Sequence, residues 1–253
     1  GSRAGSMTLK QALTSSNNGV SANLLNELGV PPFIDKLRMF GITSYIESNV
    51  TISLGSYDAP VSEMVSAYST FANHGIRVNP VYVSRIEDNQ GNVIYSANAH
   101  RTEVTSSDAC DDMVMIMMNV VNNGTARALR SAYNISAEMG GKTGTTNNNS
   151  DAWYMGYTPQ IVVGVWVGGE ERYIHFNNSS IGQGARSALP IFGIFMQKLF
   201  ADKSLPYRQD IKFEFPEGYM PCDGAWGDTY QPAAPAANDE VPEDAEDIEG
   251  MFD

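Results

Sequence analysis

Three strand-like segments stand close together along the chain: SAEMGGKTGT, DAWYMGYTP and QIVVGVWVGG. Only the turn at Thr158-Pro159 separates the second from the third, which is too short for the crossover a parallel pair requires. An antiparallel sheet is therefore imposed at this point, and the rest of the chain has to cover it. TLKQALTSS, SANLLNEL and FIDKLRMF place apolar residues at helical spacing, so residues 8–48 read as helical with short breaks. APVSEMVSAYSTFANHG has Pro60 near its start and stops at Gly75, as helices often do. VYVSRIEDNQGNVIYSA alternates apolar and polar residues around Asn89-Gln90-Gly91-Asn92, a hairpin signal. DACDDMVMIMMNVVNNGTARAL opens with acids, which suit the positive end of a helix dipole. Its methionines (Met113, Met115, Met117, Met118) read as adaptable core packing. ARSALPIFGIFMQKLFA reads as a long helix with an apolar face, tolerating Pro190 early on. Helices, then antiparallel strands, then a covering helix give an α+β fold.

Charge excludes one class of partner. The net charge of −13 is concentrated at the C-terminus, where residues 239–253 hold eight acids and no Lys or Arg. The remaining chain has 21 acids against 16 bases, a net of −5, without the clustered cations of a nucleic-acid binder. QPAAPAANDEVPEDAEDIEG has the composition of a solvated tail, so 231–253 is expected to be disordered. Residues 1–7 read as a tag or linker, 8–205 as the folded body and 206–230 as an extension. No apolar run reaches the roughly 18–20 residues of a membrane helix, and the N-terminus has no signal-peptide core. Cys110 and Cys222 form no metal-ligand spacing, and a disulfide and two free thiols stay equally open. His74, His100 and His175 are scattered and read as structural or surface residues. No metal and no cofactor is indicated.

GGKTGTT looks at first like a phosphate-binding loop. The spacing refuses it, because the required earlier glycine position holds Ser136 and NNNS follows where a helix should start. Lys142-Thr143-Gly144-Thr145 instead fits an edge strand lining a cleft. Lys142 gives a fixed positive charge, while Thr143 and Thr145 offer hydroxyl donors to a carboxylate. Gly144 removes a side chain where a substrate backbone must approach, and an extended peptide can pair with the strand. Upstream, Ser15-Ser16-Asn17 supplies a serine and an asparagine in an S-x-N arrangement, a pattern that on its own is usually a helix cap or turn.

These segments together resemble the transpeptidase domain of class A penicillin-binding proteins. TLKQALTSSNN is similar to the family's second-motif helix, and ISLGSYDAPVSEMVSAYSTFANHG to its leucine-glycine-serine stretch and following helix. VVNNGTA resembles its glycine-threonine-alanine turn, and GGKTGTTNNNSDAWYMGYTPQIVVGVWVGG its third-motif strand and the two strands after it. The resemblance covers roughly residues 8–205, read as the C-terminal part of that domain. It implies a penicillin-binding protein and β-lactamase-like fold, with the antiparallel sheet flanked by helices. The implied activity is peptidoglycan crosslinking by serine acyl transfer, on peptidoglycan stem peptides, with β-lactam antibiotics as covalent inhibitors. The implied place is the periplasmic face of the bacterial inner membrane, in a membrane-anchored parent with an upstream glycosyltransferase domain. Carried onto this sequence, Ser15 relays a proton to the leaving group and Asn17 holds the substrate amide. Lys142 shapes the field, and Thr143 and Thr145 grip the terminal carboxylate.

The family's nucleophile belongs to an S-x-x-K motif. The six lysines have Met7, Phe33, Met139, Phe195, Phe200 and Gln209 three residues before them, so none completes it. In the family that motif lies upstream of S-x-N, and only fourteen residues precede Ser15. The expectation is a half-site, inactive alone, in a fold lacking its N-terminal strands and nucleophile helix. Strand 160–168 would then be an apolar edge open to self-association. Two rivals stand beside this: a non-catalytic peptide-binding module, which the missing S-x-x-K favours, and a serine β-lactamase, for which no water-placing loop is evident.

Overall fold

The computed structural model describes residues 7–219. The acidic tail and Cys222 lie outside the described residues. Three short helices come first: α1 Leu9–Thr14, α2 Asn18–Leu28 and α3 Val30–Met39. Each start has a local cause. The Thr8 hydroxyl accepts the Gln11 N–H at 3.2 Å while the Gln11 side chain accepts the Thr8 N–H at 3.0 Å, a capping box for α1. The Asn17 side chain accepts the Val20 N–H at 3.1 Å and opens α2. Gly29 turns at a φ of 88° directly from α2 into α3, whose first turn takes Pro31 and Pro32 without losing a hydrogen bond.

The helical reading of 8–48 ends at Met39, and residues 42–48 are irregular. Side chains satisfy that backbone instead. Arg38 donates to the carbonyls of Ile42 and Ser44, at 2.6 and 2.7 Å. The Glu63 carboxylate accepts the N–H groups of Thr43 and Ser44, at 3.2 and 3.3 Å, and both hydroxyls.

A 3₁₀ turn, Val50–Leu54, leads to α4 Val61–Ala72. After it, β1 Ile76–Val78 pairs with β4 Arg101–Glu103, a pairing the sequence pattern did not announce. Between them stands the expected hairpin of β2 Arg85–Glu87 and β3 Val93–Ser96. Asp88 shapes its turn by accepting the N–H groups of Gln90 and Asn92, both at 2.8 Å. Helix α5 Ser107–Asn123 and the single turn α6 Ala128–Ser131 follow.

The main sheet is β5 Gly140–Thr145, β6 Asp151–Tyr157 and β7 Val162–Gly168, antiparallel in that order. At the turn between β6 and β7 the Thr158 hydroxyl accepts the N–H groups of Gln160 and Ile161, at 3.1 and 3.2 Å. A short helix, α7 Ser179–Gly182, and the long α8 Ala188–Ala201 complete the regular elements among the described residues. Alternation along β6 assigns its two faces. Tyr154 meets Phe192 of α8 with ring centroids 4.7 Å apart, and Phe192 lies so close to Gly156 that a Cβ there would sit 2.6 Å from it. On the other face Tyr157 meets Tyr68 of α4, joined by Met117 and Met118 of α5. The methionine run is thus core, as its spacing suggests.

Beyond Leu205 the described chain has no helix or strand, yet it returns to the body. Phe213 packs on Tyr157 at 5.9 Å, and Tyr219 stacks on Phe215 and donates to Asp112.

Glu63 is a direct test of how the irregular 42–48 segment is held. Burial raises its pKa, but the hydrogen bonds from Thr43 and Ser44 outweigh this and hold it below the ordinary value. A depressed carboxylate stabilises the fold above its unfolded pKa and loses that contribution as pH falls through the folded one. Glu63→Gln is therefore expected to cost about 1 kcal/mol at neutral pH. Urea denaturation should show the difference closing below the ordinary carboxylate pKa of about 4.

Candidate functional site

Strand β5 carries Lys142, Thr143, Gly144 and Thr145, and among the described residues it pairs only with β6. After Thr145 the chain enters a tight turn into β6, not a helix. Thr146 N–H donates to the Asp151 carbonyl at 3.0 Å, and Asn149 takes a φ of 55°. The helix N-terminus that a phosphate loop needs is missing from this position. Gly144 faces Trp153 so closely that a Cβ on it would lie 3.1 Å from the Trp153 Cβ.

Lys142 is half-buried, and among the described residues no carboxylate lies against it. Its amine donates to the Ser16 hydroxyl at 2.8 Å and to the Thr143 carbonyl at 2.9 Å. Burial without a counter-charge pushes its pKa down to about 8. Ser16 occupies the turn between α1 and α2 at a φ of 55°, a left-handed conformation that non-glycine residues rarely hold without a reason. Backbone bonds lock it there: Ser16 N–H to the Leu13 carbonyl at 3.1 Å and Asn17 N–H to the Ala12 carbonyl at 2.8 Å.

The two serines of the motif make different contacts. Ser15 is the C-cap of α1, and its hydroxyl is turned back on that helix, donating to the Gln11 carbonyl at 2.9 Å. Asn17 spends its side-chain oxygen on capping α2. Both perform the helix-end work that such residues usually do. The serine that reaches Lys142 is Ser16, and the same S-x-N spacing then ends at Asn18, the exposed first residue of α2. Tandem serines followed by tandem asparagines allow both registers, and only the helix phase chooses between them.

Two further contacts complete the strand's surroundings. Thr143 and Thr125 hydroxyl oxygens lie 2.8 Å apart, which brings the GTA turn after α5 to β5. The Thr145 hydroxyl accepts the N–H of Gly184 at 2.9 Å. Gly184 is pressed onto the sheet, since a Cβ there would fall 2.4 Å from the Gly144 carbonyl oxygen and 2.5 Å from that of Trp153. Thr125 lies in a stretch the sequence resemblance includes, without being singled out. Gly184 carried no readable signal.

The end of α1 is tied into the same junction. Asn119 of α5 donates to the Thr14 hydroxyl at 2.7 Å, and a Cβ on Gly124 would lie 2.6 Å from the Thr14 carbonyl. The histidines bond elsewhere: His74 to the buried Asp111 at 2.9 Å, His100 to Thr102, His175 to the Phe176 carbonyl. Among the described residues no three His, Cys, Asp or Glu side chains converge on a metal position. A lone cation beside hydroxyl donors on an open strand edge suits an anion carried by an extended peptide.

Comparison with known proteins agrees with this geometry. Residues 1–189 match the penicillin binding protein transpeptidase domain, and the chain belongs to that family. Within it the chain is of the class A kind, whose relatives are penicillin-binding proteins 1A. It is 32% identical over 232 residues to penicillin-binding protein 1A of Neisseria meningitidis serogroup B, covering 89% of this chain and 28% of that protein. Against penicillin-binding protein 1A of Rickettsia conorii it is 28% identical over 231 residues, covering 81% and 28%. The chain therefore spans about 28% of the length of the curated relatives it matches. Penicillin-binding protein 1A from Haemophilus influenzae shares the fold at a TM-score of 0.72 and 22% identity, over 81% of this chain and 36% of that one. The PonA1 protein of Mycobacterium tuberculosis, solved in complex with penicillin V, gives a TM-score of 0.69 at 25% identity, over 84% and 60%. The α+β fold is that of the penicillin-binding transpeptidases.

The depressed Lys142 amine is open to direct test. A buried lysine with a lowered pKa costs stability while it stays charged, and the cost lifts as pH rises through the folded pKa. Relative to Lys142→Met, the wild-type chain is expected to gain stability as pH rises from about 8 towards the ordinary lysine value of 10.5. Paired denaturation curves across that range show it; parallel curves would place Lys142 in water.

Proposed function

We propose that the chain is part of a peptidoglycan D,D-transpeptidase. In this reaction a serine hydroxyl attacks the penultimate D-alanine carbonyl of a stem peptide, and the last D-alanine leaves with the proton. The resulting acyl-enzyme is then opened by an amine of a neighbouring strand, which forms the crosslink and frees the serine. The observation that carries this reading is the 2.8 Å contact between Lys142 and Ser16, which joins the K-T-G strand to an S-x-N turn 126 residues away.

The contacts support the following roles. An amine near pKa 8 beside a hydroxyl suits proton relay at neutral pH, so Ser16, not Ser15, passes the proton towards the leaving group. Asn18 takes the motif position that the Ser15 register would give to Asn17. Thr143 and Thr145 hold the terminal carboxylate, and Gly144 lets the peptide backbone lie along the free edge of β5.

None of the six lysines is preceded at the third position by Ser or Thr, so this chain carries the accessory half of the site without a nucleophile. Alone it neither crosslinks peptidoglycan nor is acylated by penicillin. The complete protein, with its glycosyltransferase domain and anchor, works at the periplasmic face of the membrane. Among the described residues no helix is long and apolar enough to cross a membrane. Among the described residues β7 pairs only with β6, and its other side offers an edge for self-association, with Trp166 39% exposed. The missing S-x-x-K also favours a second reading, a non-catalytic module that only binds peptide.

Intact-protein mass after incubation with penicillin separates the readings. No adduct is expected on this chain, and one adduct on the same chain extended upstream to include an S-x-x-K segment. An adduct on the chain alone would show a nucleophile within it. An extended chain that stays unmodified would leave the binding module.

A further inference from the structure

The two threonines that would hold a carboxylate differ in what stands behind them. A hydroxyl has one proton to give and lone pairs with which to accept. At Thr145 the division of labour is already fixed. Gly184 N–H can only donate, and it fills the acceptor side of Thr145 at 2.9 Å. The Thr145 proton is thereby left for a ligand on the exposed side. At Thr143 the neighbour is another hydroxyl, Thr125, at 2.8 Å, and either oxygen can be the donor of that bond. An isolated pair of this kind is indifferent to direction. An anion arriving at Thr143 removes the indifference, because Thr143 can give its proton to the anion only if it takes the proton of Thr125.

We propose that Thr125 is a positioning residue for carboxylate recognition: by donating to Thr143 it aims the Thr143 proton at the anionic end of the substrate. The proposal rests on the transpeptidase reading above and adds to it the residue that sets the direction of the hydroxyl relay. Two bonds in series, ending on a charge, polarise and strengthen one another.

The post on which Thr125 stands is rigid. Gly124 is clamped between the carbonyls of Thr14 and Val120, where a Cβ would lie 2.6 and 2.9 Å from the two oxygens. Ala126 is fully buried and its N–H returns to the Val120 carbonyl at 3.3 Å. Thr125 is β-branched and so restricted at χ1. On the strand side, the Lys142 amine holds the Thr143 carbonyl at 2.9 Å. Both hydroxyls are thus fixed from their backbones before a ligand arrives. The arrangement is symmetrical in effect: a backbone N–H backs Thr145, and a side-chain O–H backs Thr143. Only the second can be removed by substitution without disturbing the chain's path.

A merely structural role would have the hydroxyl pair pin the turn to the strand and do nothing more. Substrate charge separates the two cases. In the complete protein, nucleophile segment included, acylation is followed with benzylpenicillin and with its methyl ester, which lacks the anion. Thr125→Val is expected to lower the second-order acylation rate with benzylpenicillin about tenfold, the upper end for one hydrogen bond between neutral groups. The loss should fall on the binding constant, leave the already slow methyl ester reaction unchanged, and be reversed in Thr125→Ser. Equal losses on both compounds, or none on benzylpenicillin, would overturn the positioning role. Should Thr125→Val not fold, Thr125→Ala against Thr125→Ser makes the same comparison. A folded wild-type protein that reacts with neither compound would instead remove the transpeptidase reading itself.

Discussion

The Lys142 amine needs oxygen partners, and the fold is arranged to supply them. A half-buried ammonium with no carboxylate beside it among the described residues loses hydration that only directed hydrogen bonds can replace. Two oxygens do so, the Thr143 carbonyl within the strand and the Ser16 hydroxyl from across the molecule. The second obliges the α1–α2 turn to stand over β5. That in turn requires α1 to lie on α5, where Gly124 permits the approach to Thr14 and Asn119 bonds its hydroxyl. Ser16 accepts a left-handed backbone to reach the amine, a strain of order 1 kcal/mol that the locked turn sustains. What the interaction leaves incomplete is charge neutrality. The amine keeps a lowered pKa, and an incoming anion would raise it and be held by the charge.

Glycines do the complementary work of bringing surfaces into contact. Gly140 and Gly141 let the Tyr157 and Tyr154 rings lie against opposite faces of β5, with hydroxyl oxygens 2.6 and 2.3 Å from where a Cβ would be. Gly184 lets a loop settle on the β5–β6 pair and present its N–H to Thr145. The strand that carries the site is therefore braced on both faces and by the Gly184 loop. Its outer edge alone stays open among the described residues.

Much of this was legible in the sequence, and the parts that were not share a cause. The meander β5-β6-β7 is forced by short connections, and α4, α5 and α8 by apolar spacing, so local pattern suffices for them. Residues 42–48 carry helical spacing but are held irregular by Arg38 and Glu63, the latter nineteen or twenty positions away. The β1–β4 pairing joins two three-residue strands whose partners lie far along the chain. K-T-G was legible as a candidate carboxylate site because of its residue types and spacing. The serine that reaches Lys142 was not legible, because SSNN satisfies the S-x-N spacing twice and the choice depends on how the chain turns after α1. Thr125 and Gly184 reach the site only through tertiary contacts, and no local pattern marks such residues.

The assignment of Ser16 carries the most weight, and comparing two single substitutions tests it most directly. Acylation by a fluorescent penicillin would be timed in the complete protein for Ser16→Ala and for Ser15→Ala. Loss of a proton-relaying hydroxyl predicts a rate lower by roughly a hundredfold in Ser16→Ala, with Ser15→Ala close to wild type because its hydroxyl only returns to its own helix. The opposite pattern, with Ser15→Ala crippled and Ser16→Ala active, would contradict the site built around the Lys142–Ser16 contact.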